Sequence, residues 1–399
     1  MKTNIKLQEK MILPQGFKAA GVPVGLKKSG NKDMALIFSD VPAVMAGAFT
    51  TNQVQAATVK LCRQRMKAGI GHAVIVNSGN ANACNGPQGI KDAQRMADLT
   101  GELLGVSGDT VFVSSTGRIG VRLPMDIIEK GIRKIAPALS SKGGEDAALA
   151  IMTTDTKIKR CSTVLKIDGE KVVVSAMAKG SGMIEPNMAT MLAYVLTDAK
   201  VQPKALQACV SEAVQHSFNR ITVDGDRSTN DTVLCFANGK AGCKTLSPAH
   251  KDWNVFAQAI RAVTFDLAMK MVVDGEGASK FVTIGVSGAR NDRDADLAAR
   301  SVANSLLVKT SWVGEYPNWG RIMDALGYSD AQIVEEKVEM SYDGLLAVKN
   351  GVKAGRPIDD LKKIQRQKSF RIDINLHLGK GEAVVYTCDC TEEYVRINM

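Results

Sequence analysis

Two rhythms of apolar and polar positions run along the 399 residues. Short apolar runs rich in β-branched residues, the pattern of buried strands, occupy 34–38, 73–76, 111–114, 232–236 and 281–286. Apolar spacings of three and four, which set one face of a helix, run through about 90–104, 124–135, 203–217, 252–272 and 292–308. Two further β runs, 162–167 and 171–175, are joined by Asp168-Gly169, a dipeptide that tolerates positive φ and so predicts a hairpin. A strand over 190–197 follows, and the chain closes on β runs at 371–378 and 383–388. There is no sustained tandem repeat. Strands and helices in clustered pairs predict layered α/β packing with mixed or antiparallel sheets rather than a doubly wound parallel sheet.

Composition bounds the picture without changing it. An apolar share of 45% with 23% charged residues is that of an ordinary globular chain, long enough for one large core or two packed lobes. No basic start leads into an apolar segment, and no apolar stretch reaches the ~18 residues a membrane span needs, so a cytoplasmic protein without a membrane partner is expected. The eight cysteines have no CxxC spacing and read as reduced, mostly buried residues. Cys388 and Cys390 alternate along an apparent strand with no histidine nearby, so no metal site is expected there.

The formal charge of +10 raises a nucleic-acid surface as one reading. Its basic residues are dispersed, however, and the densest groups, Lys362 and Lys363 with Arg366 and Lys368, and Lys200 with Lys204, have no interleaved aromatics. A solvated basic face is expected, with no nucleic-acid partner. Phosphate and dinucleotide loops are excluded by spacing: Gly180 and Gly182 lack a third glycine, and the stretch from Gly275 to Lys280 places Glu276 where phosphate would lie.

Candidate chemistry centres on the segment AKGSGMIEPNMATMLAYVLTDA, 178–199. A glycine-rich loop with a proline leads to Thr190, and a buried strand begins there. Threonine at the head of a strand is commonly β-favoured filling. If the Ala189–Thr190 bond breaks, however, Thr190 carries both a hydroxyl nucleophile and a free α-amine, the pairing that activates threonine nucleophiles. An α-amine titrates near pH ~8 and lysine near ~10.4, so the terminal amine is the better base at neutral pH. Such a base contributes about 10²–10⁴-fold to rate. Upstream, Ser114-Ser115-Thr116-Gly117 closes an apolar strand, where the Gly117 N–H and the Thr116 hydroxyl could face a developing oxyanion.

The segment resembles the signature of the ornithine acetyltransferases, or glutamate N-acetyltransferases, of arginine biosynthesis. The likeness continues through FTTNQVQAA (49–57), NSGNANACNG (77–86), SSTGRIG (114–120), IMTTDT (151–156), DGDRSTNDT (224–232), VDGEGASK (273–280), PNWGRI (317–322) and YVRIN (394–398). These nine ordered blocks span nearly the whole chain. The resemblance implies an αββα-type sandwich with an added C-terminal lobe over about 290–399. It implies cleavage between Ala189 and Thr190 into chains 1–189 and 190–399, paired as a dimer of processed heterodimers. It assigns Thr190 as nucleophile and Thr116 and Gly117 as the oxyanion hole. Thr153, Lys179, Thr190, Glu276 and Asn398 become the substrate-contacting positions, while Asp155 and Asp224 are expected to tie turns and Cys84 to lie in a packed Gly/Asn loop.

The implied reaction needs no cofactor: Thr190 takes acetyl from N-acetylornithine and passes it to glutamate. Whether acetyl-CoA is a second donor stays open. Three departures from the family pattern bear on substrate choice: Arg118 replaces a small apolar residue, Tyr316 an aspartate, and only Met399 follows Asn398 where the family commonly runs on to a terminal Ser or Thr. The competing enzyme reading is an amidohydrolase or aminopeptidase of the same fold, in which water replaces glutamate; those peptidases generally carry serine at the cleavage position.

Overall fold

The computed structural model describes residues 5–185, 191–355 and 357–399, and the chain divides into two compact units. The first comprises 1–180, 187–219 and 227–268. Its strands are β1 (Phe17–Val22), β2 (Met34–Phe49), β3 (Ile70–Asn80), β4 (Val111–Arg118), β5 (Lys159–Ile167), β6 (Glu170–Lys179), β7 (Leu192–Thr197) and β8 (Thr232–Ala237). Its helices are α1 (Ala57–Arg65), α2 (Gly86–Leu104), α3 (Met125–Ile135), α4 (Gly144–Ala150) and α5 (Pro203–Gln215), and α6 (Trp253–Val273) begins here. The strands form one sheet in the order β4-β3-β2-β8-β7-β6-β5, with β1 added to β2. Its β3–β4 and β7–β8 pairs are parallel and the others antiparallel.

Why these strands read as unbroken apolar runs follows from what covers each face. Side chains alternate across a sheet. Leu36, Ile75, Val111 and Val113 pack with Met96 and Leu99 of α2 and Ile128 and Ile132 of α3. Their neighbours Ile37, Val74, Val76 and Phe112 point the other way, into a cluster with Tyr194, Phe236 and Ala147 and Ala148 of α4. A sheet buried on both faces has no polar stripe to reveal it.

The β5–β6 hairpin forms as expected, with Ile167 opposite Glu170 and positive φ at Asp168 (52°) and Gly169 (90°). His250 Nε2 lies 3.0 Å from Asp168 Oδ2, and the Asp168 N–H donates to Asp252 Oδ2 at 3.0 Å. Asp168, His250 and Asp252 are close enough to share an ion, yet these bonds turn them on one another and lock the turn.

The second unit comprises 181–186, 220–226 and 269–399. It holds β9 (Phe281–Ala289), α7 (Asp292–Asn304), α8 (Leu306–Val313), α9 (Trp319–Gly327), β10 (Glu339–Tyr342), β11 (Leu345–Lys349), β12 (Val352–Lys353), α10 (Ile358–Gln365), β13 (Ser369–Asn375), β14 (Gly381–Cys388) and α11 (Glu392–Ile397). The sheet order is β12-β11-β10-β13-β9-β14, with only β9–β13 parallel. Ala295, Ala299 and Val302 of α7 bury against Ile284, Ile372 and Val385, and Trp312 meets Phe370 edge-on at 6.1 Å.

The α/β class with mixed sheets and layered helices is thus as expected. The single helix expected over 292–308 is corrected to two. Ser305 takes extended backbone angles, and its hydroxyl accepts the Val308 N–H to cap a new start. The long run of the second unit begins at Met269, and β9 sits inside its sheet. All eight cysteines are free: six are buried, Cys390 is half-buried and Cys84 is exposed. No helix among the described residues is long and apolar enough to cross a membrane.

Candidate active site

Parallel β3 and β4 end side by side, and their last residues give the site its floor. Gly79 and Gly117 face each other at positive φ, 113° and 132°. A Cβ on Gly117 would stand 2.3 Å from the Gly79 carbonyl carbon, so only glycine lets the two backbones approach this closely. Asparagines hold the turn. Asn77 accepts the Ser115 hydroxyl at 2.6 Å, Asn80 donates to the Val121 and Arg122 carbonyls, and Asn82 donates to that of Gly89. Asn230 reaches across to the Ala81 and Ser115 carbonyls at 2.6 and 2.7 Å. Cys84 sits in this loop at φ 59°, a turn conformation, and is exposed where a packed loop was expected.

Thr116, beside Gly117, is buried, and its hydroxyl accepts a hydrogen bond from the buried Lys179 ammonium at 3.3 Å. Lysine can only donate. The Thr116 hydroxyl therefore spends a lone pair on Lys179 and keeps its own proton, which no other described residue accepts.

Lys179 ends β6, opposite Leu192 at the start of β7. Thr190 and Ala189 lie outside the described residues. Met191, next along, donates its N–H to Asp231 Oδ1 at 3.0 Å and accepts the Thr232 N–H at 3.0 Å.

One carboxylate joins the remaining pieces of this unit. Asp155 accepts the Thr153 N–H at 2.9 Å, the Gly180 N–H at 2.7 Å and the Lys159 ammonium at 2.7 Å. Thr153 and Lys179 are thereby tied through a single side chain. Burial works to raise the Asp155 pKa, but the charges of Lys179 and Lys159 and these hydrogen bonds outweigh it and hold it at about 2.

Glu276 and Asn398 belong to the second unit. Asn398 donates to Glu276 Oε2 at 2.8 Å, and the Glu276 N–H donates to the Ser181 carbonyl at 2.8 Å. Asp224 accepts the Met183 and Ile184 N–H groups at 2.6 and 2.8 Å, and Tyr394 of α11 donates its hydroxyl to it at 3.3 Å. The expected turn-tying roles of Asp155 and Asp224 are therefore visible as hydrogen bonds. Lys159, Asn230 and Asp231 were not singled out by sequence. Asn230 and Asp231 lie inside the block DGDRSTNDT, but nothing in its spacing tells which member is buried.

A strand-end hydroxyl and N–H backed by a buried cation, beside the head of a buried strand, suit an acyl carbonyl and its developing charge. The protein is an acyltransferase of mixed α/β fold. More particularly, the chain belongs to the ArgJ family, whose sequence model matches residues 18–399. It is 48% identical over 387 residues to the arginine biosynthesis bifunctional protein ArgJ of Symbiobacterium thermophilum, covering 96% of each chain. It is 46% identical over 385 residues to the same-named protein of Geobacter sulfurreducens, covering 96% of this chain and 98% of the relative. Among solved structures, a chain of ArgJ from Bacillus halodurans is similar at 39% identity and TM-score 0.49, over 51% of this chain and 97% of that one. An ornithine acetyltransferase of Mycobacterium tuberculosis, solved with ornithine, is similar at 40% identity and TM-score 0.42, over 46% and 98%.

Proposed function

We propose that this chain is a self-cleaving acetyltransferase of arginine biosynthesis, moving acetyl from N-acetylornithine to glutamate through an acetyl ester of Thr190. The observation that carries the reading is the buried Lys179 ammonium on the Thr116 hydroxyl, beside Gly117 and next to the head of β7. Full-length relatives named for arginine biosynthesis support the pathway.

In the first stage the Thr190 hydroxyl attacks the Ala189 carbonyl, and water resolves the ester into chains 1–189 and 190–399. In the second, the freed α-amine takes the hydroxyl proton as Thr190 attacks the acetyl carbonyl. The Gly117 N–H and the Thr116 hydroxyl receive the oxyanion, with the Lys179 charge behind them. Ornithine leaves, and the glutamate amine attacks the ester to give N-acetylglutamate. Thr153 and Lys179 serve the carboxylate end of the amino acid. Glu276, steadied by Asn398, offers the counter-charge for an ammonium.

The word bifunctional in the relatives' names supports a second activity, with acetyl-CoA as donor to glutamate. A dimer of processed heterodimers in the cytoplasm belongs to the same reading. Incubation with N-acetylornithine, with and without glutamate, separates transfer from hydrolysis. Ornithine release that depends on glutamate, with N-acetylglutamate formed in equal amount, is expected. Acetate release indifferent to glutamate would establish an amidohydrolase instead.

A further inference from the structure

The loop between β1 and β2 rests on the floor of the site. Gly79, which faces Gly117, packs against Leu26: a Cβ on Gly79 would stand 3.4 Å from the Leu26 carbonyl oxygen. Four successive N–H groups, those of Val24, Gly25, Leu26 and Lys27, converge on the wholly buried Asp33 carboxylate at 2.7, 3.2, 2.7 and 2.9 Å. The Ser78 N–H then donates to the Asp33 carbonyl at 2.9 Å, which ties the loop to β3. Backbone donors therefore hold the loop in place, and they fill the roughly four acceptor positions of the Asp33 carboxylate.

That leaves the Lys27 ammonium with a neutral partner. Half-buried, it donates to the Lys32 carbonyl at 2.8 Å, its one hydrogen bond among the described residues. An ammonium has three N–H donors, so two stay available. Burial pulls the Lys27 pKa below the usual lysine value, the Asp33 and Asp155 charges pull it back, and the Lys179 charge lowers it again. Lys27 thus stands in the field of the same Asp155 and Lys179 that lie behind Thr116. Two neighbouring cations repel each other, and an anion held beside both relieves the repulsion.

Transfer sets a demand that the donor alone does not. Ornithine ends its side chain in an ammonium and glutamate ends it in a carboxylate, and Glu276, the counter-charge for an ammonium, repels a carboxylate. We propose that Lys27 binds the side-chain carboxylate of the acyl acceptor and so selects an amino dicarboxylic acid, an inference that rests on the acetyl transfer to glutamate proposed above.

The test compares glutamate with glutamine, its uncharged counterpart, as acceptor at saturating N-acetylornithine, in the wild type, Lys27→Met, Lys27→Arg and the exposed control Lys28→Met. Methionine keeps an apolar stem and removes the ammonium. The wild type and Lys28→Met are expected to prefer glutamate. Lys27→Met should lose at least about tenfold in kcat/KM for glutamate, as a raised KM, because a charge-assisted hydrogen bond is gone. Its rate with glutamine, and its burst of ornithine from N-acetylornithine alone, should stay near wild type, and Lys27→Arg should keep most of the preference. An unchanged glutamate preference in Lys27→Met overturns the assignment, and so does an equal loss with both acceptors and in the ornithine burst, which marks a loop residue only. If Lys27→Met does not fold, a wild type that acetylates glutamine as readily as glutamate overturns it as well. Ornithine release that never depends on glutamate in the wild type overturns the transfer reading itself.

Discussion

Asp155 shows how one buried charge can organise several candidate site positions. Its carboxylate takes hydrogen bonds from Thr153, Gly180 and Lys159 and sits in the field of Lys179. Removing one member of a buried, paired network strands the others, at a typical cost of about 3–5 kcal/mol. Asp155→Asn is therefore expected to lower the midpoint of urea unfolding and to reduce turnover, because Lys179 loses the charge that balances it beside Thr116. The pH dependence has a definite sign. With a folded pKa depressed to about 2, Asp155 contributes stability that is fully present above its unfolded value near ~3.9. That contribution, about 2 kcal/mol, is lost as pH falls toward 2. Urea titrations between pH 5 and 2 should show this acid limb in the wild type and a shallower one in Asp155→Asn.

At the scale of elements, what sequence revealed depended on whether a local pattern had a single cause. The Asp168-Gly169 hairpin was legible because the turn itself demands positive φ at both positions. β3, β4, β7 and β8 were legible as apolar runs because both faces of their sheet are covered. β2 proved far longer than the expected 34–38: a register shift between Phe38 and Ala43 absorbs Pro42, and pairing resumes beyond it. The short helices α1, α4, α9 and α10 went unseen, being too brief for an apolar stripe to stand out. The break between α7 and α8 was hidden because Ser305 fits a helix by spacing and acts as a cap only in its extended conformation. Ser305→Ala should cost about 1 kcal/mol in global stability, measured by denaturant melts, with no change in acetyl transfer. In the candidate site, Thr116, Gly117 and Lys179 were reachable through family blocks. The Asp155 bond to Gly180 and the Asp231 bond to Met191 join segments distant in sequence, which no spacing encodes.

For the whole molecule, charge turns out to say little about partners. Lys362 and Lys363 of α10 pair with Asp359 and Asp360 three residues back, and Arg366 pairs with Glu315, so the densest basic cluster is largely answered on the spot. The net charge of +10 then reads as a solvated surface rather than a nucleic-acid footprint. In the function proposed above, catalysis rests instead on the Thr116 hydroxyl and Gly117, the buried Lys179 and Thr190. The most direct test of that account is intact-mass spectrometry of the purified protein, quenched during incubation with N-acetylornithine in the absence of glutamate. It should show two fragments meeting at Ala189/Thr190, with one acetyl group gained only by the fragment that begins at Thr190 and lost again when glutamate is added. A single uncut chain that transfers acetyl at full rate, or a processed enzyme whose Thr190 fragment never carries acetyl during turnover, would contradict it.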